Sequence, residues 1–99
     1  VTSMKTMFSY DKAFNQDIGN WNVSSVADMN AVFSAAEAFN RPLNDWNVSI
    51  VTDMRWMFSF ASSFNQNISN WNTSSTVSDE DMYTFSAMEN NNSYKAPNT

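Results

Sequence analysis

The chain has 99 residues, enough for one domain with a single core, and its five Lys and Arg against ten Asp and Glu give a formal net charge of -5. That balance offers phosphate no basic stripe and argues against nucleic acid as a partner. Cysteine and histidine are both absent, which removes thiol nucleophiles, imidazole bases, disulfides and nearly all zinc or copper sites.

The chain opens at Val1, inside a pattern. Val1, Val26 and Val51 head three copies of a 25-residue unit, followed by Met4, Met29 and Met54, by Met7, Val32 and Met57, and by Phe8, Phe33 and Phe58. Such a period signals a repeat architecture. Within each copy the apolar columns fall at i, i+3 and i+4, joined by Ala36 and Ala61 at i+7, which predicts one buried face of a short helix. Ser3, Asp28 and Asp53 precede that face and are expected to act as N-caps, since a short side-chain oxygen satisfies the free amides of a first turn. Phe14, Phe39 and Phe64 close the stretch, and Asn15, Asn40 and Asn65 suit a left-handed residue ending a helix.

The period then changes. Ile18, Trp21 and Val23, repeated as Leu43, Trp46 and Val48 and as Ile68, Trp71 and Thr73, show the alternation of a short strand. One helix and one strand cannot fold alone, whereas stacked copies can, with strands pairing in parallel and helices covering the sheet. The expected organisation is three repeats at 1–25, 26–50 and 51–75, a degenerate capping repeat at 76–89 and a polar tail or linker at 90–99. No run approaches the ~20 apolar residues of a membrane span, and no signal peptide is visible. A start at Val1 reads as a processed product or an excised segment whose first coil lacks a cover, so that neighbouring repeats, or the end of another copy reached through the tail, are expected to stack there.

The strings MFSYDKAFNQDIGNWNVSSV and MFSFASSFNQNISNWNTSS resemble the BspA-like repeats of microbial surface proteins, a divergent branch of the leucine-rich repeats, over Val1 to about Ser75. The resemblance implies an α/β repeat solenoid, a right-handed leucine-rich-repeat-like coil with one short parallel strand and one short helix per repeat. It also implies an extracellular or cell-surface setting, and adhesion or binding rather than catalysis. Asp11 departs from it, standing where Ala36 and Ala61 are small.

Against that frame the stacked Trp residues are expected in the core rather than as a sugar platform. Trp56 lies off the apolar face in a column with Thr6 and Ala31; Phe60 is four residues on, in a column with Tyr10 and Ala35. With Arg55 beside the pair, Trp56, Phe60, Arg55 and Tyr10 are the candidate interface residues. The acidic run Asp79-Glu80-Asp81 lacks the ligand spacing of a calcium loop and reads as favourable charge at a helix start. Asn22, Asn47 and Asn72 form one outward-facing column of N-glycosylation sequons, with Asn67 and Asn91 as further acceptors and a stacked Asn ladder as the alternative use of the column.

No catalytic residue, cofactor site or metal site is assigned, because no nucleophile and base occur together and no glycine-rich loop is present. The expected function is an extracellular structural or surface module that assembles head-to-tail into a fibre or layer or forms part of a longer adhesin. The alternative is a module binding a host protein or a glycan, and ice binding through the small polar ladders is a remote third. Self-association or neighbouring repeats, a host protein or a glycan are the expected partners, without nucleic acid or membrane insertion.

Overall fold

The computed structural model describes residues 1–97. Among them no helix forms, and the only sheet pairing is three isolated parallel bridges, Ser3 with Asp28, Asp28 with Asp53 and Asp53 with Ser78. The chain is a turn-built globule of 28 × 27 × 20 Å with a radius of gyration of 11.7 Å. These findings overturn the expected α/β repeat solenoid and with it the likeness to leucine-rich-repeat architecture. An elongated, fibre-forming or adhesin-like body is overturned as well, since no axis dominates the other two.

The reason lies in where the backbone amides go. In a helix the amide of Phe8 would bond four residues back. Here Met4, Thr6, Phe8 and Tyr10 donate instead to the carbonyls of Asp28, Asn30, Val32 and Ser34. The same step repeats from Met29 and from Met54, for twelve bonds of 2.8–3.1 Å that all run in one direction. Between these residues the chain closes tight local turns, Met7 to Met4, Ser9 to Thr6 and Asp11 to Phe8, each amide bonding a carbonyl three residues back. Thr6 and Tyr10 occupy the third positions of two of these turns with φ of 57° and 63°. Ala31, Ala35, Trp56, Phe60, Asp81 and Phe85 repeat that conformation, with φ between 55° and 60°. A left-handed residue every fourth position is incompatible with a right-handed helix. The i, i+3, i+4, i+7 spacing arises because successive turns also return the chain to the core at those positions.

The residues expected to cap helices keep their chemistry in another setting. The Oδ1 atoms of Asp28 and Asp53 accept the amides of Asn30 and Arg55, both at 3.0 Å, and Ser3 Oγ accepts that of Lys5 at 3.2 Å. These are local side-chain turns two residues long. The segments around Trp21, Trp46 and Trp71 are not strands: the amide of each Trp closes a turn onto Ile18, Leu43 or Ile68. The indoles of Trp46 and Trp71 reach across the layers and donate to the carbonyls of Ile18 and Leu43 at 2.9 Å. Trp21, in the first of the described layers, is 43% exposed, against 3% for the other two.

The core is aromatic and stacked. Phe8, Phe33, Phe58 and Tyr83 form one file with centroid spacings of 5.6, 5.6 and 6.1 Å. Phe14, Phe39 and Phe64 form a second at 5.5 and 5.8 Å. The files meet in pairs at 4.0–4.4 Å. Met4, Met29, Met54, Val32, Met57, Ala36 and Ala61 fill the space beside them, all buried. Asn15, Asn40 and Asn65 do not adopt the left-handed conformation expected of them. They build a ladder in which Asn15 Oδ1 accepts the amide of Asn40 and Asn40 Oδ1 that of Asn65, each at 3.0 Å, with Asn91 Nδ2 continuing onto Asn65 Oδ1 at 2.9 Å.

The segment expected to be a tail is packed as far as it is described. Ala96 is buried, Tyr94 accepts the amide of Ile68 at 2.9 Å, and the carbonyl of Pro97 accepts Thr73 Oγ1 at 2.8 Å. The last two positions of the expected tail, Asn98 and Thr99, lie outside the described residues.

Candidate functional site

The left-handed positions lie on the outside of the turn ladder and form two adjacent columns, Thr6, Ala31, Trp56, Asp81 and Tyr10, Ala35, Phe60, Phe85. A bulky side chain at positive φ carries a steric penalty that glycine avoids, yet four of these eight residues are aromatic. Trp56, Phe60, Phe85 and Tyr10 are 50, 53, 65 and 73% exposed. Phe60 and Phe85 stack at 5.2 Å, tilted by 38°. The indole of Trp56 is held in place by donating to Asp81 Oδ2 at 3.0 Å, while Asp81 Oδ1 accepts Thr84 Oγ1 at 3.2 Å. Asp81 therefore positions an indole, in place of the helix-start role expected for the acidic run. Ala31 and Ala35, both buried, stand in the layer between Tyr10 and the Trp56/Phe60/Phe85 ridge.

Of the interface residues singled out in the sequence, Trp56 and Phe60 belong to this ridge, and Tyr10 stands apart from it, beyond the layer of Ala35. Arg55 turns to Asp53 instead, its Nη2 lying 2.9 Å from Oδ2 and its Nε 3.1 Å from Oδ1. The Arg55 hydrogen bond is the main cause that holds the Asp53 carboxyl below the usual range. Phe85 is the residue sequence reading missed. It falls in the degenerate capping repeat expected at 76–89, although a strict 25-residue step from Phe60 lands on it.

The sequon residues Asn22, Asn47, Asn67 and Asn72 are exposed and Asn91 is half-buried. Asn22, Asn47, Asn67 and Asn72 each accept, through Oδ1, the amide two residues on at 3.0–3.1 Å. They sit in turns, not on a strand face, and the stacked Asn ladder belongs to the Asn15 column instead. Among the described residues no group of three acidic side chains is arranged to hold a metal ion, and no helix is long and apolar enough to cross a membrane.

At the end of the fold formed by the fourth layer is an open cleft of about 690 Å³, lined in part by Asp79, Asp81, Tyr83, Glu89 and Lys95. Lys95 Nζ lies 5.2 Å from the centroid of the Tyr83 ring and donates to the carbonyl of Glu89 at 2.7 Å. Tyr83 Oη accepts the amide of Ala96 at 3.0 Å, and burial pushes this phenol up to about 12. Because the unfolded chain ionises Tyr83 near pH 10 and the folded chain does not, stability is complete below pH 10 and falls as pH rises from 10 towards 12. The loss is of order 2–3 kcal/mol across that window. Urea unfolding at stepped alkaline pH checks this, with Tyr83→Phe expected to flatten the decline.

No curated protein and no solved structure matches the chain. A family model matches residues 1–96, which is nearly the whole turn ladder with its exposed aromatic columns. The chain belongs to the family described as Mycoplasma protein of unknown function, DUF285.

Proposed function

We propose that this chain is a non-catalytic recognition domain that binds another protein through the ridge of Trp56, Phe60 and Phe85. One observation carries the reading: Phe60 and Phe85 hold φ of 60° and 57°, expose more than half of their surface, and still keep large aromatic side chains. The core does not use those rings, which pack on each other, and the same column accommodates Ala35 with an identical backbone bond, Ala35 to Ser59 as Phe60 to Thr84, both 2.8 Å. Side chains that strain the backbone and place apolar surface in water without supporting the core are explained by contact outside the chain. Trp and large aromatics carry most binding energy at protein interfaces, and the Asp81 bond fixes the indole in advance of contact. A glycan is the second reading, supported by the exposed indole of Trp56, whose flat apolar surface suits a sugar ring as well as a side chain.

Selection from a displayed peptide library, run beside a glycan array, tests the proposal with the triple variant W56S/F60S/F85S as counter-screen. Peptides retained by the unaltered chain are expected to bind the variant at least about tenfold more weakly. Thermal unfolding of the two proteins should agree to within a few degrees. Equal binding to the variant would remove the ridge as the site, and retention on glycans alone would give the second reading precedence.

A further inference from the structure

The 25-residue step that stacks the core also stacks the loop before each repeated tryptophan, and there it builds a groove that shares no residue with the aromatic ridge. Between the second and third layers lies an open cleft of about 420 Å³ lined by Pro42, Asn44, Gln66, Asn67, Ser69 and Asn70. Pro42 and Asn44 also line a second cleft of about 470 Å³ towards the first layer, where Asp17, Asn20 and Asp45 join them. The two clefts therefore run on from each other across three layers. Gly19 marks how closely the layers approach here, since a Cβ on it would meet the carbonyl oxygen of Pro42 at 2.7 Å.

The amides of the cleft between the second and third layers are fixed by the fold with one end left over. Asn70 Nδ2 donates to the carbonyl of Asn44 at 3.1 Å and Gln66 Nε2 to Asn40 Oδ1 at 2.9 Å, which leaves Asn70 Oδ1 and Gln66 Oε1 as acceptors. Asn67 is held the other way round: its Oδ1 takes the amide and the hydroxyl of Ser69, at 3.0 and 2.6 Å, which leaves its Nδ2 as a donor. Groups held in place before contact lose little side-chain freedom on binding.

The lining decides what such a groove accepts. Among the described residues no Lys or Arg lines either cleft, and Asp17 and Asp45 add negative charge, so phosphate, sulfate and acidic chains are disfavoured. A peptide anchored by apolar side chains finds only Pro42 between the second and third layers. Free acceptors beside a free donor suit a ligand whose polar groups each donate and accept, which is what a hydroxyl does. The carboxylates of Asp17 and Asp45 accept from hydroxyls as well. The Pro42 ring offers a small apolar surface to the C–H face of a sugar ring.

We propose that this groove binds a neutral oligosaccharide, whose hydroxyls bond the free ends of Gln66, Asn67 and Asn70 and whose chain continues past Pro42 towards Asp17 and Asp45. The site is independent of the ridge and uses none of Trp56, Phe60 and Phe85.

The test is retention of the whole chain on an array of neutral hexose and N-acetylhexosamine oligosaccharides, with sialylated and sulfated versions beside them, followed by NMR titration with the strongest binder. Neutral chains should be retained better than their charged counterparts. The side-chain amide signals of Asn44, Gln66, Asn67 and Asn70 should shift. The double variant N67A/N70A is expected to bind about tenfold more weakly, from the loss of two hydrogen bonds, while W56S/F60S/F85S binds as the unaltered chain does. Should N67A/N70A fail to fold, the place of the shifts on the unaltered chain decides. Failure to retain any neutral oligosaccharide, stronger retention of the sulfated ones, or a folded N67A/N70A with unchanged affinity would overturn the proposal. Shifts centred on the Trp56 indole, with binding lost in the ridge variant, would also overturn it, by giving the sugar to the ridge.

Discussion

Phe58→Ala is expected to cost about 3–5 kcal/mol, the range for emptying a fully buried aromatic site. Phe58 has no exposed surface and is the centre of the aromatic files, 5.6 Å from Phe33, 4.2 Å from Phe64, 6.1 Å from Tyr83 and 6.3 Å from Trp71. Its neighbours have little freedom to collapse into the gap, because the amide of Phe33 bonds Met57, that of Phe64 closes a turn onto Ala61 and the indole of Trp71 is tied to the carbonyl of Leu43. A domain of this size has roughly 5–15 kcal/mol of stability in total, so the variant should unfold at a much lower urea concentration or lose its cooperative transition. Phe58→Leu, which keeps most of the volume, should lose less than half as much. A change below about 1 kcal/mol for the alanine variant would mean that the files are loosely packed.

What the sequence discloses and what it hides follow from the same turns. The 25-residue step survives as the register of the hydrogen bonds, and the apolar columns mark the inner wall at Met29, Phe33, Met54 and Phe58. The element that carries those columns is hidden, because a helix and a chain of tight turns both return to the core at i, i+3, i+4 and i+7. The decisive signal would have been glycine or asparagine at the left-handed positions. Those positions hold Thr, Ala, Trp and Asp in one column and Tyr, Ala, Phe and Phe in the other, and the only glycine, Gly19, lies elsewhere. Asn15, Asn40 and Asn65 pointed the wrong way for a related reason: asparagine suits a left-handed residue and a side-chain ladder equally, and only the stacking of layers selects the second. The ridge was half visible. Trp56 and Phe60 stand out where the preceding copy has Ala31 and Ala35, whereas Phe85 is lost when the fourth copy is read as degenerate.

Removing Val26 to Ile50, one whole 25-residue period, is expected to leave a folded protein, whereas removing Val26 to Ser49, one residue fewer, is expected to abolish folding. The first deletion brings Asp53 opposite Ser3, Met57 opposite Met7 and Phe58 opposite Phe8. Of the twelve one-way ladder bonds four are lost and eight keep their geometry, including those from Met4, Thr6, Phe8 and Tyr10, which find the carbonyls of Asp53, Arg55, Met57 and Ser59. The protein should unfold cooperatively at a lower urea midpoint, because one of three layer-to-layer contacts has gone. The second deletion displaces every pair by one residue. Phe8 then lies opposite Met57, the left-handed Thr6 opposite Arg55, and the amides that should bond the next layer meet the peptide groups already closed into local turns. Each buried amide left without an acceptor costs about 1–3 kcal/mol, and four at one junction exceed what the remaining core of so small a chain supplies. Far-ultraviolet circular dichroism, one-dimensional NMR dispersion and urea titration of the two variants measure the difference. Similar dispersion and midpoints in both would show that aromatic packing, and not the amide ladder, sets the register of the fold.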